Sequence, residues 1–298
     1  MDNAVLVLRT CHNDGTSFGG FRWPAVGPVE APHWNHSPVC GGGLHGLIRG
    51  EGNGALLRAG PDDLWQVVEV DASDIVDLGN KVKFRRGNVI FTGDRESAVA
   101  KIVARYPGAA VCYSERTVGD NDTLSGGYCS VLTGGRCSTL TGGDRCTLTG
   151  GDGSVLTGRC NCTLTGGRCS TLTSECDSFL TGGRGSVLSC LDRCGLSGGD
   201  RCTLSGRDGN VLAGGNYSVC RGEESCTISG GVGSILTGGV ASTLSGGEHS
   251  ILQARYLLGG IRCRMATAYV GKHGIKPGVA YRLNSEHQFE EVNRGLQT

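Results

Sequence analysis

From position 124 the chain repeats one pattern of apolar and polar residues. Leucine returns every eight residues from Leu124 to Leu212, Cys220 and Ile228 hold the next two places, and Leu236, Leu244 and Leu252 complete seventeen octapeptides without insertion or deletion. The unit reads x-[Ser/Cys]-[Thr/Val]-Leu-[Thr/Ser]-Gly-Gly-x, as in Cys146-Thr147-Leu148-Thr149-Gly150-Gly151. Small or β-branched residues followed by two glycines predict a short strand and a tight turn. Eight residues are too few for a pair of helices and do not match the five-residue period of a pentapeptide helix. Stacking as a β-solenoid is the natural solution, each coil pairing its backbone with the next. Alternation along a strand puts Leu148 and Cys146 inside, and Thr147 and Thr149 outside. Two octapeptides per coil give a flat coil of about 16 residues, so residues 121–252 predict about eight coils, on the order of 40 Å at ~4.8 Å per rung.

The flanks read differently. Ala4–Leu8 and Trp65–Val70 predict buried strands, and 74–78 and 81–84 short ones. Arg95–Arg105, with Ala98, Val99, Ile102 and Val103 on one face, predicts an amphipathic helix. The fold class is therefore mainly β. Residues 1–110 form a small α+β capping domain, 119–253 the octapeptide-repeat solenoid, and 254–298 a short C-terminal β cap. The caps are expected to cover the apolar ends of the array, which would otherwise template edge-to-edge growth.

Composition narrows the function classes. Gly is 53 of 298 residues and Pro only 7, which excludes collagen and a Pro-rich linker. Lys+Arg and Asp+Glu are both 28, so no basic field for nucleic acid is expected. No run approaches ~18 apolar residues, so no transmembrane helix or membrane association is expected. Met1-Asp-Asn-Ala-Val has no basic segment leading into an apolar run. A cytoplasmic location is therefore expected, in a host cell or a virion if the chain is phage-encoded. Twelve of the 16 cysteines lie between Cys129 and Cys226. Those at the inner small position, such as Cys146 and Cys162, read as buried thiols isosteric with serine. Rung disulfides, and metal or redox chemistry, are the alternatives.

The most chemical-looking segment is His33-Trp-Asn-His36-Ser-Pro-Val-Cys40-Gly-Gly-Gly-Leu44-His45. His33, His36, Cys40 and His45 are a compact set of the kind zinc accepts, though not at a recognised spacing. Pro38 and the glycines fit an irregular loop equally well. The glycines do not end in Lys-Ser/Thr and make no phosphate-binding loop. Cys40 with His45 could form a nucleophilic pair, but no orienting carboxylate or oxyanion site accompanies them. The reading leans away from an enzyme. A ligand-binding site around Arg9, Cys40 and His45 is the alternative, with zinc the only cofactor considered.

The octapeptide pattern resembles the repeat of bacterial ice nucleation proteins, carried here by stretches such as Gly143-Asp-Arg-Cys-Thr-Leu-Thr-Gly-Gly-Asp-Gly-Ser-Val-Leu-Thr157. The resemblance implies coils of two octapeptides with Ser inside and Thr-x-Thr outside, and an ice-binding surface. Phe179, Gly195, Val211, Ala213, Arg221 and Gln253 interrupt that outer array. The flanks look like a family of bacterial and phage proteins without an established activity. The resemblance rests on Leu8-Arg9-Thr10-Cys11, Gly20-Phe-Arg-Trp-Pro24, Cys40-Gly-Gly-Gly-Leu44-His45 and the tail from Gly271 to Val292. A third glycine between Cys40 and Leu44 departs from that family's common spacing. Together these readings give a non-enzymatic structural or interaction solenoid, self-associating or bound to a protein partner. A ligand-binding or catalytic N-terminal domain and an ice-binding surface are the alternatives.

Overall fold

The computed structural model describes residues 3–258 and 262–292. The chain divides into two compact units, one of residues 1–116 with 124–132 and 142–146, the other of 117–123, 133–141 and 147–298.

The first unit is built on a seven-stranded sheet in the order β2-β7-β4-β1-β3-β6-β5. Its strands are β1 (Ala4–Cys11), β2 (Gly27–Glu30), β3 (Leu44–Ile48), β4 (Leu64–Asp71), β5 (Ile75–Asp77), β6 (Val82–Phe84) and β7 (Arg86–Gly93). The pattern of apolar positions anticipates β1, β4, β5 and β6. It misses β2 and β7, and β3 crosses a stretch expected to be irregular. Helix α1 (Arg95–Arg105) starts at Asp94, whose side chain accepts from the Ser97 amide at 2.8 Å. It buries Ala98, Val99 and Ile102 against Leu8, Trp65 and Val67. The other apolar cluster holds Val7, Cys11, Trp23, Val68 and Phe84. Within the same unit the ring of Tyr128, from the first repeats, packs on Tyr113, which in turn packs edge-on against Trp65.

In the second unit the octapeptides are rungs. Leu148 pairs with Leu164 and Leu164 with Leu180 on one sheet; Leu140 pairs with Leu156 and Leu156 with Leu172 on the other. All these pairs are parallel and join one coil to the next, and the leucines are at most 1% exposed. The solenoid has about nine turns rather than eight, because Glu115–Val118 adds a strand before the first leucine. Arg116 stands where the frame calls for leucine. Its guanidinium donates to the carbonyls of Pro107, Ala109 and Ser125.

The glycine pairs do different work from the one the sequence suggests. A positive φ does occur once per octapeptide, at eighteen positions from Tyr113 to His249, but only Gly153, Gly185, Gly209 and Gly233 among them are glycine. Residues such as Cys137, Cys169, Asp177 and Arg201 carry the left-handed turn, at a cost of ~1 kcal/mol each. The amides there are satisfied from the next coil: Cys137 N donates to Asp152 O at 2.8 Å and Cys169 N to Arg184 O at 3.0 Å. The paired glycines are required for close approach instead. A Cβ on Gly150 would lie 2.6 Å from Ser154 Cβ, and one on Gly151 would lie 2.9 Å from Arg136 N.

The small inner position needs a hydrogen-bond donor as well as small size. Ser186 Oγ donates to Gly167 O at 3.1 Å, Cys202 Sγ to Gly183 O at 3.1 Å, Cys226 Sγ to Arg207 O at 3.0 Å and Asn210 Nδ2 to Leu191 O at 2.7 Å. Each reaches a turn carbonyl of the preceding coil. Serine also accepts from the coil before it, as Ser186 Oγ does from Ser170 N at 3.2 Å. Cysteine therefore replaces serine in its donor role as well as in volume.

The two edges of the solenoid differ. On one, every turn from Gly150-Gly151 to Gly246-Gly247 keeps the glycine pair. On the other the pair gives way to Gly158-Arg159, Ser174-Glu175, Cys190-Leu191, Gly206-Arg207 and Gly222-Glu223. Here disulfides join Cys160 to Cys176 on the adjacent rung, Cα atoms 4.7 Å apart, and Cys190 to Cys194 within one turn. Where Ser174 replaces the inward glycine, its hydroxyl bonds to Ser178 Oγ at 2.7 Å, the same step along the turn that Cys190 and Cys194 close covalently. Arg193 bridges to Asp177 on the neighbouring rung at 2.8 Å. Some cysteines are thus cross-linked, the alternative reading, Cys194 at the inner position among them, while inner ones such as Cys202 and Cys226 act as buried donors.

At the far end, Ile251–Leu258 pairs antiparallel with Arg262–Tyr269. Tyr281–Leu283 turns back onto Thr243–Gly246, setting Tyr281, 2% exposed, opposite Leu244. Of the C-terminal segment 254–298, residues 259–261 and 293–298 lie outside the described residues.

Candidate functional site

Two regions are candidates: a cavity in the N-terminal domain and the outer faces of the solenoid. The cavity, about 890 Å³, is lined by Arg9, Cys40 and His45, three residues the sequence groups, and also by His33. His36 does not line it; its ring lies edge-on to Trp34 at 6.0 Å. Arg9 sits midway along β1 and is 6% exposed, its guanidinium 3.3 Å from the Trp23 ring centroid. Burial lowers its pKa to about 9. His45 lies on β3 opposite Lys83 of β6. Burial first, then the charges of Lys81, Lys83 and Arg9, push its pKa down to about 4, so the imidazole is neutral. Lys83 is fully buried and donates to Val39 O at 3.0 Å and Gly41 O at 3.2 Å, pinning the glycine loop.

The zinc set expected from His33, His36, Cys40 and His45 is not assembled. Among the described residues no group of three or more His, Cys, Asp or Glu side chains is placed to hold a metal. The physical reason is the charge around the loop: Lys81 Nζ stands 3.1 Å from Cys40 Sγ, and three cations face His45. A metal cation would enter a positive field. The partner of Cys40 is Lys81, which leaves the Cys40–His45 nucleophilic pair without support. His12, Arg58 and Lys81 also line the cavity, and the sequence does not single them out. Only Lys81 gives a signal there, as one of two lysines flanking Val82.

On the solenoid, the coil frame sorts the interruptions of the outer array. Phe179, Gly195, Val211 and Ala213 all fall on one sheet, Arg221 and Gln253 on the other. On that second sheet the column Thr139, Val155, Thr171, Val187, Thr203, Val219, Ile235 and Ile251 is β-branched throughout. Beside it run Thr141, Thr157, Thr173, Ser189 and Ser205, hydroxyl-bearing until Arg221. On the first sheet Phe179 is 67% exposed and lies over Gly195, where a Cβ would stand 2.9 Å from its ring. Two columns can be separated from the sequence only by taking alternate octapeptides.

The repeat region is similar to bacterial ice nucleation proteins. It is 40% identical over 111 residues to the ice nucleation protein of Xanthomonas campestris pv. translucens, covering 36% of this chain and 7% of that protein. It is 43% identical over 103 residues to that of Pseudomonas syringae (34% and 9%), and 41% over 100 residues to that of Pseudomonas fluorescens (33% and 8%). The match thus spans less than a tenth of these relatives' length. No family model and no solved structure matches the chain. The expected cytoplasmic location is corrected by this finding. The relatives are ice nucleation proteins, a likeness that does not fit a cytoplasmic location.

Proposed function

We propose that the chain is a non-enzymatic scaffold whose regular solenoid face orders water as an ice-binding surface. The observation that carries this reading is the unbroken β-branched column from Thr139 to Ile251 beside a hydroxyl column. Adjacent rungs repeat at ~4.8 Å, and the paired side chains on one strand stand ~6.5 Å apart. Methyl groups there hold water off the backbone while hydroxyls bond it, on a lattice fixed by the coils beneath. The match to ice nucleation proteins supports the same reading. The accessible face is short, since Thr237 is already buried at 5% exposure, so the isolated chain acts weakly. Copies of the chain pair through the interrupted sheet, where Phe179 and Val211, 67% and 54% exposed, make an apolar patch, so that the regular sheet of each copy faces outward.

Freezing of microlitre droplets and thermal hysteresis test the first part. The protein should raise the freezing temperature or halt crystal growth, and Thr157→Lys with Thr173→Lys should abolish the effect without changing thermal stability. An effect untouched by that pair, or none in the parent, overturns the reading. Light scattering of Phe179→Ser tests the second part: the parent should associate and the variant should not.

A further inference from the structure

We propose that the cavity of the N-terminal domain binds a small monocarboxylate with an apolar body, its carboxylate seated on the Arg9 guanidinium. Arg9 is buried, yet its Nε and Nη1 have no hydrogen-bond partner, and only Nη2 is engaged, donating to Thr10 O at 2.7 Å. Among the described residues no carboxylate forms a salt bridge with it, and no Asp or Glu lines the cavity. A buried cation with open donors is costly unless an anion completes it. The Trp23 ring covers one face of the guanidinium, so a ligand meets the donors along its edge, the approach a planar carboxylate makes.

The rest of the lining selects the class. His45 Nε2 is a second buried polar atom without a partner, and its imidazole is neutral. It offers one further hydrogen bond and no second charge. Of the other lysine and arginine side chains lining the cavity, Lys81 is already on Cys40 and Arg58 is paired with Asp63. One available buried charge matches a monoanion better than a phosphate dianion. Phe21, Leu44, Leu56 and Leu57 supply apolar walls. A volume near 890 Å³ is of the size that holds small organic ligands.

Isothermal titration of the full chain with sodium octanoate and sodium benzoate tests this, with octanamide, benzamide and inorganic phosphate as comparison probes. At least one carboxylate should bind, its amide should bind at least ~10-fold more weakly, and Arg9→Met should weaken the carboxylate by at least ~10-fold. Leu56→Trp, at the exposed rim of the cavity, should also weaken binding and keeps the test decisive if Arg9→Met fails to fold. Absence of binding by both carboxylates overturns the proposal. So does equal binding of acid and amide, or preference for phosphate. Failure of the freezing assay bears on the solenoid face alone and leaves this site untouched.

Discussion

The solenoid and the N-terminal domain both bury polar side chains, and they treat them in opposite ways. The solenoid buries inner residues such as Ser170, Ser186, Asn210 and Ser234, and among the described residues none of them leaves a buried nitrogen or oxygen unpartnered. Among the described residues the orphaned buried side-chain atoms are Arg9 Nε, Arg9 Nη1, His45 Nε2 and Gln66 Oε1, all in the N-terminal domain. In a repeat, each coil supplies the carbonyl that the next coil's hydroxyl or thiol needs, so satisfaction propagates with the period. Outside a repeat nothing enforces it. Open donors that persist in a buried place mark sites where a structure is completed by something else. The same contrast separates the two outer sheets: one keeps its columns, the other breaks them with Phe179, Gly195, Val211 and Ala213.

The largest expected effect concerns the solenoid's apolar row. Leu164→Ala should cost ~2–5 kcal/mol in denaturant melts, because the neighbouring rungs cannot collapse into the cavity. Removing the Cys160–Cys176 cross-link by a double serine substitution should cost ~3 kcal/mol, the chain entropy of a loop of that size. A smaller loss would show that the rung stacking already holds those turns. Ser186→Ala should cost ~1–3 kcal/mol by stranding Ser170 N, and Ser186→Cys should cost less. Arg9→Met should have the opposite sign or none. If both substitutions destabilise alike, the contrast between satisfied and open interiors fails.

His45 provides a pH test of the same contrast. Its folded pKa of about 4 lies below the ordinary 6.5, so the unfolded chain binds more protons between those values. The stability it contributes is complete above pH 6.5 and is lost as pH falls toward 4. The melting temperature of the parent should drop across that window more than that of His45→Gln. The smallest effect belongs to the outer columns: Thr163→Ala should lie within ~0.5 kcal/mol of the parent, since its side chain is solvated.

The repeat is legible because one leucine at one period fixes strand, face and rung together. What lies outside that signal is hidden for identifiable reasons. The extra strand at Glu115–Val118 is masked because Arg116 fills the leucine place and satisfies its charge on carbonyls. The glycine pairs read as turn formers because glycine permits positive φ, whereas the left-handed residues are mostly not glycine, and the paired glycines are there for space. Serine and cysteine at the inner position read as interchangeable by size alone, because a donor's target on the preceding coil leaves no mark in the sequence. The strand carrying His45 is obscured by three adjacent glycines. The charge that decides against zinc comes from Lys81 and Lys83, which the β3–β6 pairing brings beside His45 from a distant part of the sequence.

The coil of two octapeptides also sets rules for how such a gene can change length. Losing or gaining a pair of octapeptides removes or adds a whole turn and returns every later residue to its own sheet and its own edge. Losing a single octapeptide keeps the leucines in register yet moves everything downstream to the opposite sheet. The continuous column would then be joined to the broken one, and the cross-linked edge to the all-glycine one. Recombination between repeats is therefore tolerated in the interior at either step, but only the longer step inherits the surface.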